Sequence, residues 1–251
     1  MTLDVTKTTA EAEGNSTACW SCGDMRAAQF CGACGKVQPP APVDYFSFFG
    51  LPPKLNLDTA ALEREFYALS RRLHPDVYAR AGARELQWCE EQSSRLNDAY
   101  RTLKDPIKRT EYLLKLEGIE LEEQSKAATE DARAKGEVKK QVVPPALLEE
   151  VFELNLQLEE MRMSKKVGER DADLAAQLEA QRHRLEKDFA ALLHELKAYW
   201  DEWDKLVDHA RGGKTVALSD QRSVLNKMVD LLNRRNYYRN LVRDVNEALE
   251  N

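Results

Sequence analysis

Apolar residues recur at helical spacing along most of the chain. After Asp58, a residue type that suits a helix N-cap, one stripe advances in steps of four, three and four residues. Its members are Leu62, Phe66, Leu69 and Leu73. The predicted helix should not pass His74, because Pro75 disfavours the α-region in the residue before it and has no N–H to donate.

Further helices are predicted on either side of this one. A second stripe covers residues 83–103 and stops before Pro106, and two helices joined by a short loop form an antiparallel hairpin. A third, shorter helix should cover residues 107–116, with Gly118 where a C-terminal cap belongs. The aromatic run at residues 44–50 predicts a short helix or turn that packs against the hairpin.

The C-terminal part contains three longer helical patterns. The first should start near Pro144, since proline is favoured in a first helical turn, the second should end at Gly212, and the third should start near Ser219. Three such helices form a bundle. The charged residues 119–143 predict a mobile or loosely helical linker, and residues 1–18, which lack apolar periodicity, predict a disordered N-terminus.

Composition supports an all-α protein. Charged residues make up 32% of the 251 positions, with only 11 glycines and 9 prolines, as in proteins built from long solvated helices. The net charge of −6 argues against binding nucleic acid through overall positive charge. Because no run of about eighteen apolar residues occurs, we expect no helix that spans a membrane.

Four of the five cysteines form a repeated motif. Two copies of Cys-x-x-Cys-Gly lie eight residues apart. Their cysteines are Cys19, Cys22, Cys31 and Cys34. Four thiolates around one ion form a closed tetrahedral site with no open position, so the predicted role is structural and the expected metal is zinc. Iron of the rubredoxin type is a minor alternative, and metal-free redox dithiols are another.

A second motif lies at the tip of the predicted hairpin, where His74, Pro75 and Asp76 follow one another. Three basic residues share a face of the preceding helix, opposite its apolar stripe. They are Arg64, Arg71 and Arg72. These features indicate a docking surface for an acidic partner or, in the simpler interpretation, a solvated helix face. No nucleophile or phosphate-binding loop accompanies His74, so we do not expect an enzyme.

Residues 45–118 resemble a J-domain. They combine an Arg-rich helix, the His-Pro-Asp tripeptide and a helix that ends in the run Leu-Asn-Asp-Ala-Tyr-Arg-Thr-Leu at residues 96–103. The opening Asp-Tyr-Phe at residues 44–46 and the closing run at residues 105–118 resemble the HscB-type co-chaperones of iron-sulfur cluster assembly. The four-cysteine prefix is similar to that of eukaryotic members.

This resemblance implies an L-shaped, all-α architecture with a small N-terminal zinc ribbon. The expected order is a four-cysteine zinc-binding knuckle at 19–36, a J-domain helical hairpin at 43–118, a charged linker at 119–143 and a C-terminal three-helix bundle at 144–251.

The resemblance also implies how the J-domain would act. In the family this domain docks on a DnaK-type chaperone and promotes ATP hydrolysis there, so His74, Pro75 and Asp76 would stimulate the ATPase of the partner. The three arginines of the preceding helix would steer the approach. The chain would then be an ATPase activator rather than an enzyme.

In the family the bundle binds the scaffold protein on which the cluster is built. The matching contact positions in the first bundle helix are Leu148, Phe152, Glu153 and Glu160, with Tyr237 facing them from the last helix. Alternatively, Leu148 and Phe152 fill the bundle core. Leu156 departs from the family pattern, since it stands where an acidic residue is usual.

Two other functions are also compatible with the sequence. A general J-protein would bind unfolded chains, and a zinc-ribbon protein could bind nucleic acid, although few basic residues flank the cysteines. We expect neither a nucleic-acid nor a membrane partner, and at most weak self-association. The resemblance places the chain in the mitochondrial matrix, with the cytosol as the alternative; residues 1–16 do not resemble a transit peptide.

Overall fold

The computed structural model describes residues 18–25, 29–119, 121, 148–168 and 171–250. Within these ranges the regular structure is helical, apart from one isolated antiparallel bridge between Phe30 and Val37. The predicted N-terminal segment 1–18 and linker 119–143 fall almost entirely outside the described residues. The helices are α1 (Tyr45–Phe48), α2 (Thr59–Arg72), α3 (Pro75–Tyr78), α4 (Ala83–Lys104), α5 (Pro106–Leu116), α6 (Leu148–Lys166), α7 (Ala172–Arg211) and α8 (Leu218–Glu250).

Aspartate caps fix where the first helices begin. Asp58 accepts hydrogen bonds from two backbone N–H groups at the start of α2, and Asp44 and Asp105 cap α1 and α5 in the same way. Each cap satisfies donors that the first helical turn leaves unpaired, a contribution of about 1 kcal/mol. Gly118 adopts a φ of 73° just after α5, as expected of a C-terminal cap.

Two compact units make up the chain. The first contains residues 1–119 together with residues 200–222, and the second contains residues 120–199 and 223–251. In the first unit α2 and α4 form the hairpin, whose interior is apolar and continuous with α1. Phe66 stacks on Tyr100 across the two helices, with ring centroids 4.1 Å apart.

The C-terminal end of α7 completes the first unit. The fully buried Trp203 donates from Nε1 to the carbonyl of Pro53 at 2.9 Å, and Trp200 donates to the Thr110 hydroxyl at 3.0 Å. Buried tryptophans need such partners for their indole N–H groups.

The second unit consists of α6, most of α7 and most of α8. Along α6 the buried side chains are Val151, Leu154, Leu158 and Met161, which recur at helical spacing. Polar contacts link the helices: Lys165 donates to the carbonyl of Ala248 at 2.7 Å, and Arg234 pairs with Glu195 at 2.9 Å. No helix in the described parts of the chain combines the length and the apolar character needed to cross a bilayer.

Candidate functional site

The four cysteines of the repeated motif come together in space. Their Sγ atoms all lie within 4.8 Å of one another, with Cys19 3.7 Å from Cys34 and Cys22 3.6 Å from Cys31. Sulfurs at about 2.3 Å from a tetrahedral zinc would stand about 3.8 Å apart. The cluster therefore has the size and the ligand set of a closed four-thiolate metal site.

Two matching turns hold these cysteines. In the first, the N–H of Gly23 donates to the carbonyl of Cys19 at 2.9 Å, and in the second Gly35 donates to Cys31 at 2.8 Å. Both glycines adopt positive φ, 78° and 72°, a conformation that residues with a side chain rarely adopt. The glycine after each Cys-x-x-Cys is thus required by the turn itself.

The surroundings of Cys19 favour its ionised, thiolate form. Burial opposes ionisation of Cys19, but the backbone N–H groups of Cys22 and Ser21 outweigh it and hold the pKa of Cys19 at about 6. A side-chain donor, Gln38 Nε2, lies 3.3 Å from the same sulfur. Hydrogen bonds of this kind stabilise the charged form that binds a cation.

This cysteine segment, residues 18–25 and 29–38, is hereafter called the ribbon, and it packs on the hairpin. Val37 is fully buried in the hairpin core. Gln92 of α4 donates to the carbonyl of Gln38 at 2.6 Å, and the rings of Trp20 and Trp88 meet edge to face. Ribbon and hairpin therefore share one interior.

The His-Pro-Asp tripeptide starts a helix of one turn, which the sequence did not predict. His74 is the N-cap of α3 and Pro75 its first residue. The backbone N–H of Asp76 donates to His74 Nδ1 at 3.2 Å, which fixes the tripeptide locally. The carboxylate of Asp76 is 90% exposed, so it is presented to solvent on a short rigid element.

The base of this loop is anchored by Cys89 on α4. Its thiol donates to the carbonyl of Leu73 at 3.0 Å, directly before His74. Burial raises the pKa of Cys89, so the thiol stays protonated and able to donate. Tyr78 packs against the same core from the other end of α3.

The three arginines of α2 are all exposed, as predicted, but they differ in their contacts. Arg71 donates from Nε to the carbonyl of Tyr67 at 3.2 Å. The guanidinium carbon of Arg72 lies 3.7 Å from the ring centroid of Phe30 in the ribbon. The basic face is thus exposed beside the tripeptide, and one of its members rests on the ribbon.

The predicted scaffold-binding residues of α6 divide into two groups. Phe152, Glu153 and Glu160 are exposed, and the ring of Phe152 is 68% exposed, so it does not fill the bundle core. The core position nearby is occupied by Leu154 instead. The side chain of Leu148 lies outside the described residues.

Two further apolar residues join Phe152 on the exposed face. Leu156 is 56% and Met163 61% exposed, and offsets of four and eleven residues place both on the Phe152 side of α6. Tyr237, by contrast, is only 3% exposed and packs inside the second unit. We call Phe152, Leu156 and Met163 the α6 stripe; its spacing was visible in the sequence, but its exposure was not.

Comparison with known proteins identifies relatives of one kind. No protein-family model matches the sequence. The iron-sulfur cluster co-chaperone protein HscB of Mus musculus is 39% identical over 120 residues, which cover 45% of this chain and 51% of the mouse protein. The chain likewise spans about half the length of several other curated relatives.

A longer match comes from Bordetella petrii. Its co-chaperone protein HscB homolog is 34% identical over 156 residues, 62% of this chain and 82% of that protein. The crystal structure of human co-chaperone protein HscB has the same fold, with a TM-score of 0.55 over 92% of this chain and 97% of that one at 24% identity. The all-α fold class and the predicted resemblance are therefore confirmed, and the chain belongs to the HscB co-chaperone family.

Proposed function

We propose that this chain is a co-chaperone of iron-sulfur cluster assembly. Its J-domain stimulates ATP hydrolysis by a DnaK-type chaperone, and its C-terminal bundle binds the cluster-assembly scaffold and promotes cluster transfer. The catalytic centre belongs to the chaperone. We retain 19–36, 43–118 and 144–251 as the proposed knuckle, J-domain and bundle, with 119–143 as the linker.

One observation carries the proposal: the exposed carboxylate of Asp76 stands on the first turn of α3, next to a basic face. Pro75 limits the backbone and His74 Nδ1 accepts the N–H of Asp76, so little conformational freedom is lost when this element docks. A carboxylate held in this way can perturb a polar network in the partner and favour its hydrolysis-competent state.

Electrostatic attraction of the chaperone is assigned to Arg64, Arg71 and Arg72. Their positive charges lie along α2 toward the tripeptide, and exposed positive charges raise the association rate with an acidic partner. This interaction should weaken with added salt, because at 0.1 M salt exposed charges more than about 10 Å apart are largely screened from each other.

The scaffold-binding surface is proposed to lie on α6. Exposed Phe152, Glu153 and Glu160 would contact the scaffold together with Leu148 and the remainder of the α6 stripe. Tyr237, being buried, would support this helix through packing rather than through direct contact.

Zinc is the proposed metal of the ribbon, held by Cys19, Cys22, Cys31 and Cys34. When bound, zinc supplies a structural cross-link between two chain segments that have little apolar interior of their own. Four cysteines bound to one ion would keep the ribbon folded, so that Val37 and Gln38 stay packed against the hairpin.

The mitochondrial matrix is the proposed site of action, with the cytosol as alternative. The support is the eukaryotic character of the cysteine prefix. Localisation of a tagged full-length protein in fractionated cells would distinguish the two compartments.

The test of the ATPase proposal is single-turnover hydrolysis by a DnaK-type chaperone of cluster assembly, without scaffold. Wild-type protein should accelerate hydrolysis, and Asp76→Asn should abolish the acceleration with the fold unchanged by circular dichroism. The matched control is Asp230→Asn, which removes one exposed carboxylate from α8. Equal stimulation by wild type and Asp76→Asn would refute the role of the tripeptide.

A further inference from the structure

Arg72 of α2 is held by a ring that belongs to the ribbon. Its guanidinium carbon lies 3.7 Å from the centroid of Phe30, well inside the range of a cation–π contact. The residue nevertheless remains exposed. This contact directly joins the basic face of α2 to the cysteine segment.

The position of Phe30 is set by the ribbon backbone. Phe30 forms the antiparallel bridge with Val37, and the N–H groups of Cys31 and Gln38 donate to Lys36 and Gln29 at 2.9 and 3.0 Å on either side of it. Val37 is fully buried in the hairpin core. The ring is therefore fixed by the ribbon and its packing, independently of the conformation of Arg72.

Stacking leaves the hydrogen-bonding edge of Arg72 available. The 3.7 Å between the guanidinium carbon and the ring centroid fits a guanidinium that lies flat on the ring, and in that arrangement the five N–H groups, which lie in the guanidinium plane, are not covered by the ring. Among the residues that the structure describes, no carboxylate forms an ion pair with Arg72. A free arginine side chain must lose rotamer freedom when it binds, and a stacked one has already lost much of it.

We propose that Phe30 is a positioning residue that presents Arg72 to acidic groups of the DnaK-type chaperone. The ribbon thus takes part in chaperone docking, beyond its structural metal site. This inference rests on the proposed function, because it assumes that the basic face of α2 meets that chaperone.

The test is a double-mutant cycle on chaperone affinity, measured by calorimetry with full-length protein. Phe30→Leu keeps an apolar side chain but removes the aromatic face, and should weaken binding about three- to tenfold. In the Arg72→Ala background the same change should cost less than about twofold. Phe30→Tyr, which keeps the ring, should bind like wild type.

A second variant guards against misfolding of Phe30→Leu. Arg72→Lys changes an exposed side chain, keeps the charge and loses the planar group, so it should weaken binding about as much as Phe30→Leu. In NMR spectra the Cδ protons of Arg72 should lie upfield in wild type and lose this ring-current shift in Phe30→Leu. Metal content and thermal stability are measured for every variant.

The outcomes separate this inference from the proposed function. Equal losses for Phe30→Leu in both backgrounds would show a merely structural role and overturn the inference. So would full affinity of Phe30→Leu beside a weakened Arg72→Ala, although docking through Arg72 would then stand. If Arg72→Ala also binds like wild type, docking through Arg72 is refuted. The co-chaperone function would then be tested separately by stimulation of the chaperone ATPase.

Discussion

Asp204 on α7 accepts a hydrogen bond from the backbone N–H of Leu55 at 2.7 Å, although 149 residues separate the two in sequence. The carboxylate also accepts from the N–H of Asn56 at 3.0 Å, and Asp204 is only 9% exposed. Two backbone donors in the loop before α2 are thus satisfied by one side chain from the end of α7. This contact ties that loop to the interior of the first unit.

Loss of the Asp204 carboxylate should destabilise the first unit. Asp204→Ala leaves the buried N–H of Leu55 unpaired and also removes the partly buried bond from the N–H of Asn56, so it should lower the free energy of unfolding by about 2–4 kcal/mol. The free energy of unfolding is measured by urea denaturation, with tryptophan fluorescence as the signal, since Trp200 and Trp203 lie close by in α7.

The control is Asp201→Ala, one turn earlier on the same helix. Asp201 accepts a single, exposed bond from Asn56 Nδ2 at 2.9 Å, so its loss should cost less than about 1 kcal/mol. Equal destabilisation by the two variants would contradict the importance assigned to the buried carboxylate.

The α6 stripe should contribute to scaffold binding without contributing to stability. Phe152→Ala with Leu156→Ala should weaken scaffold affinity by at least about tenfold, because exposed apolar anchors dominate such interfaces. The unfolding midpoint should stay within about 1 °C of wild type. Titration of labelled scaffold measures the affinity.

Two controls bracket this experiment. Leu218→Ala removes another exposed leucine, at the start of α8, and should leave scaffold affinity unchanged. Leu154→Ala removes a buried side chain of α6 and should cost about 2–5 kcal/mol of stability. If the double variant binds scaffold normally, the stripe is not the interface.

Metal removal should destabilise the hairpin as well as the ribbon. Val37 and Gln38 lie in the shared interior, so a chelator that releases zinc should lower the melting temperature of the helical signal by several degrees. Metal analysis should give one zinc per chain before chelation and none after. An unchanged melting temperature of the helical signal after chelation would contradict the shared interior of ribbon and hairpin.

Stability should also depend on the protonation of Glu117 at the end of α5. Burial raises the pKa of this carboxyl to about 7, above its unfolded value, so the folded state retains a proton that the unfolded state loses. The stability contribution is therefore largest below the unfolded pKa and declines as pH rises toward 7.

Replacing Glu117 by a neutral isostere should remove this dependence. Glu117→Gln should raise the free energy of unfolding at pH 8 by about 1 kcal/mol, less than the full shift implies because the side chain keeps some solvent contact. At pH 4 the change should be near zero. Urea melts at both pH values test this, with Glu65→Gln on the exposed face of α2 as control.

Local signals in the sequence account for much of the fold and the site. Asp58 and Pro75 delimit α2 because caps and prolines act on neighbouring backbone, and the repeated Cys-x-x-Cys-Gly predicts the metal cluster because each turn is built within six residues. The exposure of Arg64 and Arg71 follows from their positions opposite the apolar stripe.

Tertiary partners are what the sequence could not supply. Phe152 and Leu154 are both apolar, and only packing decides that Leu154 is buried and Phe152 is not. The contact between Arg72 and Phe30 joins segments 42 residues apart that carry no shared motif. Periodicity states which residues can face a core, and the partners then determine which of them do.

The proposed co-chaperone function can be tested by single-turnover ATP hydrolysis by a DnaK-type chaperone of cluster assembly, with this protein, the scaffold, both or neither. Protein and scaffold together should accelerate hydrolysis more than the product of their separate effects. Acceleration by the protein that is unchanged when the scaffold is added, or no acceleration at all, would contradict the proposed function.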